Sequence, residues 1–330
     1  MSSDLQAVAS GALSSDLQAV ASGALSSDLQ AVASGAGRFA PSPSGDLHLG
    51  NLRTAMLAWL FARSTGRRFL MRIEDLDRVR AGAEKRQLDD LAAIGLDWDG
   101  QIVRQSERLA HYDAAIDELT AAGRTYECFC TRREIQQAVS APHGPDGHYP
   151  GTCRDLSAAE IAVKHDSGRP PAIRLRAEIS EFAIEDELHG SYTGAIDDVV
   201  LRRGDGIAAY NLAVVVDDAE QGVDQVVRGD DLLSSAPRQA YLASLLALTV
   251  PRYAHVPLAL NAEGKRLAKR DGAVTLADQR ALGRTADEVR GILAASLGMA
   301  EAGDKPGLDE LLRGFDPAAL PRTAWIFADL

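Results

Sequence analysis

Residues 41–51 read Pro41-Ser42-Pro43-Ser44-Gly45-Asp46-Leu47-His48-Leu49-Gly50-Asn51. This stretch decides the fold, because it follows a short predicted strand at residues 37–41 and precedes a predicted helix. The apolar residues of that helix recur at helical spacing and end before Gly66, which suits a helix C-terminus. Residues 68–73 then predict a buried strand. The order strand, turn, helix and strand is typical of a parallel βαβ unit.

Further helices and strands are predicted along the rest of the chain. Apolar residues at helical spacing predict helices over about residues 83–94, 107–122 and 237–248. Apolar runs at residues 209–216 and 223–227 predict two more strands of a parallel sheet. Strands that alternate with helices in this way favour an α/β fold.

The domain organisation that we predict is a Rossmann-type catalytic domain split by an insertion. The insertion is rich in proline and carries all three cysteines of the chain. A basic loop and a short, mostly helical C-terminal tail follow the second half of the domain. The predicted parts are a repeat leader at residues 1–36, the domain halves at 37–125 and 191–260, the insertion at 126–190, and the loop with its tail at 261–330.

The leader consists of three near-identical twelve-residue units, MSSDLQAVASGA followed twice by LSSDLQAVASGA. Three such units cannot bury much apolar surface, so we expect the leader to be mostly disordered. An arm that binds a partner is the alternative interpretation.

Composition sets broad limits on location and partners. The formal net charge of the 330-residue chain is −12, so a nucleic-acid partner would need a local basic surface. No apolar run approaches the roughly 18 residues of a membrane span. Three cysteines argue against a disulfide framework. We expect a cytoplasmic monomer.

The junction between the first strand and the first helix is a predicted phosphate site. Ligands of open α/β sheets bind in the crevice at such junctions, and free N–H groups at a helix start suit a phosphate chain. His48 would add a donor to phosphate oxygens, and Gly50 would leave room for a flat adenine ring. Considered alone, His48 could instead be a helix cap or a surface residue, and Gly50 could serve a turn.

The motif closely resembles the HIGH signature of class I aminoacyl-tRNA synthetases, in particular their glutamate and glutamine branch. Asn51 stands in place of the last histidine of that signature. The resemblance implies that ATP is bound and that the amino acid is activated as an adenylate. It assigns a catalytic role to His48 and ATP contacts to Ser44, His48, Gly50, Asn51 and Lys269.

A basic loop far downstream resembles the second signature of these enzymes, KMSKS. It comprises Arg266, Leu267, Ala268, Lys269 and Arg270, with Ala268 in place of the usual serine. By resemblance, Lys269 is the catalytic cation that neutralises charge on the α-phosphate and the departing pyrophosphate. A solvated basic surface loop is the alternative for this stretch taken alone.

The substrate predicted from these residues is L-glutamate. Arg38 could hold a carboxylate in bidentate fashion, and Glu74 could take the α-ammonium group. The resemblance assigns glutamate binding to Arg38, Phe39, Ala40, Pro41, Ser42, Glu74, Tyr210 and Arg228. We expect Asp217, Asp218, Asp230 and Asp231 to order loops, and magnesium to be held mainly by the ATP phosphates.

The three cysteines predict a structural zinc site. A closed tetrahedral site needs a fourth ligand beside Cys128, Cys130 and Cys153. Resemblance to a short glutamyl synthetase paralogue selects Tyr149, while His148 is the orthodox alternative and His143 lies further away. Free structural thiols are the remaining possibility. Such a zinc ion would hold the insertion folded without taking part in catalysis.

The resemblance covers about residues 37–280 and best fits the glutamyl-Q tRNA(Asp) synthetases, which are truncated paralogues of glutamyl-tRNA synthetase. Few residues follow Lys269, which leaves no room for a substantial anticodon-binding portion. That family transfers glutamate to the queuosine base at the wobble position of tRNA(Asp), so this tRNA is the implied partner. Two alternatives remain: a minimal glutamyl-tRNA synthetase that charges the tRNA 3′ end, and a non-catalytic paralogue that binds RNA or protein.

Overall fold

The structure, a computed structural model, describes residues 35–131, 133–135, 149–267, 272 and 274–327. Residues 1–34 of the predicted leader, the candidate ligands His143 and His148, and the loop residues Ala268, Lys269 and Arg270 lie outside these described ranges.

The predicted βαβ unit is confirmed. Strand β1 spans Ala36–Phe39, helix α1 spans Leu49–Ser64 and strand β2 spans Arg68–Ile73. β1 pairs in parallel with β2, which pairs in parallel with the short strand β3, Val103–Arg104. Helix α1 is buried over most of its length because it is apolar on nearly every face.

Helix α2, Ala83–Ala93, and helix α3, Leu109–Ala121, match the next two predicted helices. A 3-10 turn at Gln105–Glu107 lies between β3 and α3. This turn matters for the site because its first residue, Gln105, is buried.

Residues 125–202 contribute to two different sheets. Strands β4, Thr125–Cys128, β5, Ala172–Leu175, and β8, Val200–Arg202, form an antiparallel sheet in the order β4-β5-β8. Helix α4, Ala158–Asp166, precedes β5 and begins at a Ser157 capping box. The hairpin of β6, Glu181–Asp186, and β7, Gly190–Ala195, belongs to the other sheet.

The predicted strand at residues 209–216 is wrong, because this segment belongs to helix α5, Tyr210–Glu220. Its apolar residues pack into a buried cluster with Tyr112 of α3 and Leu242. A short apolar run fits a buried strand and a buried helix equally well, and three consecutive valines favoured the strand. Tyr210 therefore begins a helix, and Asp217 and Asp218 lie on that helix rather than in a loop.

The strand predicted at residues 223–227 is confirmed, but it begins and ends two residues later. Strand β9 spans Gln225–Gly229 and carries Arg228, and β10, Arg252–Val256, pairs with it in parallel. β10 also pairs with β6. A bridge between Ala36 and Val223, with the Asp224 N–H 3.0 Å from the Ala36 carbonyl oxygen, brings β9 beside β1.

After β9, a 3-10 segment at Asp230–Ser235 leads into helix α6, Ala236–Leu245. This helix matches the start of the predicted helix at residues 237–248, but it ends three residues earlier.

In its described residues, the C-terminal tail contains three short α-helices, a 3-10 turn and one added strand. This strand, β12, Trp325–Ile326, pairs in parallel with β11, Ala259–Leu260. The tail packs on α1, where Phe61 and Phe315 meet edge to face with ring centroids 5.1 Å apart. Among the described residues, no helix is both long and apolar enough to cross a lipid bilayer. The elements are β11, Ala259–Leu260, α7, Leu276–Ala281, α8, Ala286–Ala295, α9, Leu308–Arg313, a 3-10 turn at Pro317–Ala319, and β12, Trp325–Ile326.

Candidate active site

A cavity of about 860 Å³ opens at the carboxyl ends of β1, β2 and β9. Most of the described residues predicted for the site line it. Three described motif residues, Pro43, Leu49 and Gly50, lie outside this lining, and Leu267 is buried. The predicted residues that the cavity brings together are Arg38, Phe39, Ala40, Pro41, Ser42, Ser44, Gly45, Asp46, Leu47, His48, Asn51, Glu74, Tyr210, Arg228 and Arg266.

His48 is the N-cap of α1. Its ring Nδ1 accepts a hydrogen bond from the Asn51 N–H at 3.2 Å, and Asn51 Oδ1 accepts from the His48 N–H at 3.2 Å. Asn51, which replaces the histidine of the signature, thus completes a reciprocal cap. The Leu49 N–H is also occupied, since it donates to the Val274 carbonyl oxygen at 2.7 Å. The expectation of free N–H groups at this helix start is therefore wrong for Leu49 and Asn51.

The environment of His48 keeps its ring neutral. Burial, together with the nearby Arg266 guanidinium, lowers the pKa of His48 to about 4. Because Nδ1 accepts a hydrogen bond, the proton of the neutral ring lies on Nε2. His48 therefore serves both as a helix cap and as a donor whose Nε2–H is not used by the cap.

Gly50 has a packing role. A Cβ atom at this position would lie 3.0 Å from the ring of His48 and 3.0 Å from the Cβ of Ala259. These contacts are tighter than most side chains make, so a side chain here would push the His48 ring or the start of β11 outward by a few tenths of an ångström.

Gln87 of α2 holds the motif loop in place. Its Nε2 donates to the Ser42 carbonyl oxygen at 3.0 Å and to the Gly45 carbonyl oxygen at 2.6 Å, and Gln87 is buried. Arg86, one residue earlier, pairs with Asp46 at 2.6 Å. No pattern in the sequence indicates this role, because glutamine is an ordinary residue on a helix surface.

Two arginines and three acids form a largely buried network beside the cavity. Arg72 Nη1 lies 2.7 Å from Asp218 Oδ1, and Arg72 Nη2 lies 3.6 Å from Glu74 Oε1. Arg38 reaches the same Asp218 carboxylate at 3.2 Å. Asp217, also fully buried, lies 3.7 Å from Arg72 Nε. The sequence indicated Arg38 and Glu74 but missed Arg72, which is the centre of the network.

Charge and burial act in opposite directions on these acids. Burial disfavours the ionised form of Asp218, but the guanidinium groups of Arg38 and Arg72 hold its pKa below the ordinary value. For Glu74, burial prevails over the same two arginines and raises its pKa. A cation placed beside Glu74 would therefore favour a carboxylate form that burial now disfavours.

Arg228 is fixed by a chain of buried polar groups. Its Nε donates to His255 Nε2 at 3.0 Å, and His255 Nδ1 lies 2.6 Å from Asp186 Oδ2. Its Nη1 donates to Gln239 Oε1 at 2.8 Å and lies 3.4 Å from the Tyr210 hydroxyl.

The protonation states of this chain follow from the surroundings. Burial lowers the pKa of His255, an effect that Arg228 strengthens and Asp186 opposes. A neutral His255 ring donates from Nδ1 to Asp186 and accepts at Nε2 from Arg228. The sequence missed His255, Asp186 and Gln239, because each lies on a different element from Arg228.

The three cysteines meet around Tyr149. The three Sγ atoms all lie within 4.8 Å of one another. The Tyr149 hydroxyl lies 3.3 Å from Cys128 Sγ and 3.7 Å from Cys130 Sγ, and accepts from the Cys153 N–H at 2.9 Å. The guanidinium of Arg174 stacks on the Tyr149 ring, 3.7 Å from its centroid. Three thiols in one cluster can supply three of the four ligands of a structural zinc site, and the phenol oxygen lies within 3.3–3.7 Å of two of them.

The family of the chain follows from comparison with known proteins. The family model described as tRNA synthetases class I (E and Q), catalytic domain, matches residues 36–303. The chain belongs to this family. The prediction of a glutamate-activating ligase of the class I synthetase type is thereby confirmed.

Individual relatives agree with the predicted branch. A glutamyl-Q tRNA(Asp) synthetase of Nocardia farcinica is 68% identical over 294 residues, which cover 89% of this chain and 93% of the relative. A protein of the same name from Cutibacterium acnes is 53% identical and covers 82% of this chain and 78% of the relative. The predicted resemblance to the glutamyl-Q tRNA(Asp) synthetases is confirmed.

Longer synthetases are also similar. Glutamate–tRNA ligase 1 of Methylobacterium radiotolerans is 44% identical over 87% of this chain and 61% of the relative. Among solved structures, the chain is similar to the crystal structure of a glutamate tRNA ligase from Elizabethkingia meningosepticum in complex with its amino acid. The two superpose with a TM-score of 0.76 at 28% identity, and the match covers 89% of this chain and 67% of that chain. This similarity supports the fold of the catalytic domain.

The capped, half-buried state of His48 leads to a pH prediction. The pKa of His48 in the folded protein, about 4, lies below the ordinary value of 6.5, so the unfolded chain binds a proton more readily. Protonation of His48 therefore lowers the free energy of unfolding as pH falls from 6.5 towards 4. We expect NMR titration to show a neutral His48 with the proton on Nε2 at pH 5.5.

The matched variant is His48→Asn, which retains a side chain that can cap the helix. Its free energy of unfolding, measured in urea at pH 7 and pH 5, should fall less between the two pH values than that of the parent. A His48 resonance that titrates near 6.5, or equal pH dependence in both proteins, would contradict the prediction.

Proposed function

We propose that the protein converts L-glutamate and ATP to glutamyl-adenylate and then transfers glutamate to the queuosine base at the wobble position of tRNA(Asp). The observation that carries this proposal is the single cavity that joins Arg38, Glu74, Tyr210 and Arg228 to the His48 end of α1. The names of the relatives from Nocardia and Cutibacterium support the choice of acceptor.

The amino acid would be held by charge. Arg228, buried and fixed by His255 and Gln239, is suited to hold a substrate carboxylate at a set angle. Arg38 would contact the second carboxylate, and Glu74 would take the α-ammonium group. The ammonium would favour the ionised form of Glu74, which its burial otherwise disfavours.

The ATP would lie towards the start of α1. His48 would donate from Nε2 to a phosphate oxygen, with Ser44 beside it and Asn51 fixing the ring. Lys269 would supply a mobile cation. Members of this family use ATP with magnesium, which the phosphates themselves would mainly hold.

Adenylate formation needs positioning and charge stabilisation rather than proton transfer. An oxygen of the glutamate carboxylate bonds to the α-phosphorus of ATP. The bond from that phosphorus to the oxygen that bridges to the β-phosphate breaks, and pyrophosphate leaves with the electron pair.

Transfer then consumes the adenylate. A hydroxyl oxygen of the acceptor bonds to the glutamyl carbonyl carbon, and the bond from this carbon to the AMP oxygen breaks. AMP leaves with the electron pair, and the hydroxyl proton passes to the AMP phosphate. Since splayed bases of an anticodon loop can enter a protein pocket, a catalytic domain alone can act on this acceptor.

We also propose that Cys128, Cys130, Cys153 and Tyr149 hold a structural zinc ion. The cluster lies next to the end of β4, and none of its four residues lines the large cavity. Zinc would link β4 to the segment that leads into α4 and so stabilise this part of the fold.

A second candidate function is attachment of glutamate to the 3′ end of tRNA(Glu). The similarity to the Methylobacterium glutamate–tRNA ligase favours it, although that relative is longer.

The acceptor is tested by transfer of radiolabelled glutamate. Three substrates are compared: tRNA(Asp) with queuosine, the same tRNA without queuosine, and tRNA(Glu). We expect label only on the first, bound at the anticodon. Label on tRNA(Glu) alone would replace the proposal with the second candidate.

The support of Arg228 is tested at His255. Replacing His255 with Phe removes the acceptor of Arg228 Nε, and a hydrogen bond to a charged group contributes about 1.5–3 kcal/mol. We therefore expect the KM for glutamate in ATP–pyrophosphate exchange to rise by roughly tenfold or more. The KM for ATP should stay unchanged.

The conservative variant His255→Gln separates positioning from folding, because its amide oxygen can still accept from Arg228. It should restore most of the affinity for glutamate. Equal increases in both KM values in His255→Phe would show that the fold, rather than the position of Arg228, was altered.

Zinc is tested by elemental analysis of purified protein. The parent should carry about one zinc ion per chain, and Cys128→Ser and Tyr149→Phe should both carry less. Ser167→Ala, an exposed change in the same region, serves as the control. Full zinc content in Tyr149→Phe would exclude the phenol as a ligand, and full content in Cys128→Ser would exclude the site.

A further inference from the structure

A second cavity of about 330 Å³ lies directly beside the large one. The two share part of their walls, including Glu74, which is proposed to hold the glutamate ammonium, and Tyr210, which the resemblance assigns to glutamate binding. Its volume lies within the range of small-molecule sites, about 300–1,000 Å³. The residues common to both walls are Ser42, Ser44, Glu74, Arg78 and Tyr210.

The remaining wall of the second cavity combines apolar and cationic groups. Leu76 and Ala208 offer apolar surface, and Arg203 offers a guanidinium at the turn after β8. Arg203 is about one-third exposed and pairs with Asp205 and, at 3.8 Å, with Asp77. Exposed ion pairs of this kind contribute little, so Arg203 can exchange these partners for a phosphate at low cost.

Arg78 adds a second observation. It lines both cavities and has a φ angle of 28°, a left-handed conformation that is uncommon outside glycine. Its N–H donates to the Asp77 carboxylate at 3.1 Å. Such backbone strain persists where the surrounding structure imposes it, and it is concentrated at ligand-binding sites.

We propose that this second cavity receives the acceptor nucleoside of an RNA, with Arg203 and Arg78 binding its phosphates. The inference rests on the proposed function, since it names the binding place of that acceptor. An adenylate in the large cavity, with its amino acid against Glu74 and Tyr210, would present the glutamyl carbonyl to the shared wall. The acceptor hydroxyl then approaches through the side that the two cavities share.

The second cavity supplies cations in a chain whose formal charge of −12 otherwise disfavours RNA. Arg203 and Arg78 both line it, beside the carboxylates of Glu74 and Asp77. Binding of phosphates would therefore require Arg203 to leave its exposed acidic partners. A planar base can lie against Leu76 and Ala208 while its flanking phosphates meet the arginines.

The two steps of the reaction allow a sharp test. Arg203→Ala should leave glutamate-dependent ATP–pyrophosphate exchange within about twofold of the parent. Its kcat/KM for transfer to queuosine-containing tRNA(Asp) should fall at least tenfold. The slope of log kcat/KM against log salt should become shallower by about one, as for the loss of one phosphate contact.

The matched control is Arg202→Ala. Arg202 is the neighbouring residue, pairs with Asp113 at 3.1 Å and lies outside the described lining of both cavities. It should behave like the parent in both assays. Arg203→Lys, which retains the positive charge, should keep more transfer than Arg203→Ala.

The contrary outcomes are distinct. Transfer by Arg203→Ala at the parental rate, or a parallel loss of exchange and transfer, would overturn the assignment of the second cavity while the proposed function stands. Exchange without transfer by the parent to any of the three tRNAs would overturn the proposed acceptor and this inference together. Absence of glutamate-dependent exchange in the parent would refute the activation step itself.

Discussion

The site depends on the ion pair between Arg72 of β2 and Asp218 of α5, whose nearest atoms are 2.7 Å apart. Burying a charge costs several kcal/mol unless a partner compensates it, so neither residue can be buried alone. The pair links two elements that are far apart in the chain. Arg38 joins the same carboxylate, and Glu74 lies beside Arg72. Arg38 and Glu74, which are proposed to bind glutamate, are thus both positioned by the same buried ion pair.

The same principle governs Arg228. A long cationic side chain has many rotamers, and its position is defined only where other groups accept its hydrogen bonds. Here His255 and Gln239 accept them, and Asp186 fixes the ring of His255. The side of the cavity that we propose to bind a substrate carboxylate is thus organised before any substrate arrives, which lowers the entropic cost of binding.

The local elements were predictable, but their partners were not. The β1–α1–β2 unit and the cap position of His48 follow from residues that are neighbours in sequence. By contrast, the sequence predicts a strand where α5 forms, because three valines in an apolar run carry no sign of which neighbours will cover them. Gln87 and His255 escaped notice for a related reason: their hydrogen bonds form with distant segments.

The sequence by itself determined the class of chemistry through the motif at the start of a helix, which is contiguous and therefore visible without a fold. The acid and arginines proposed for glutamate, and the tyrosine proposed beside the three cysteines, follow from the resemblance of this sequence to a known family. Only the tertiary structure decided how the charges are balanced, with Asp218 between Arg38 and Arg72, and that a second cavity adjoins the first. The physical reason is that burial, pKa and hydrogen-bond partners depend on packing between elements, which local sequence does not encode.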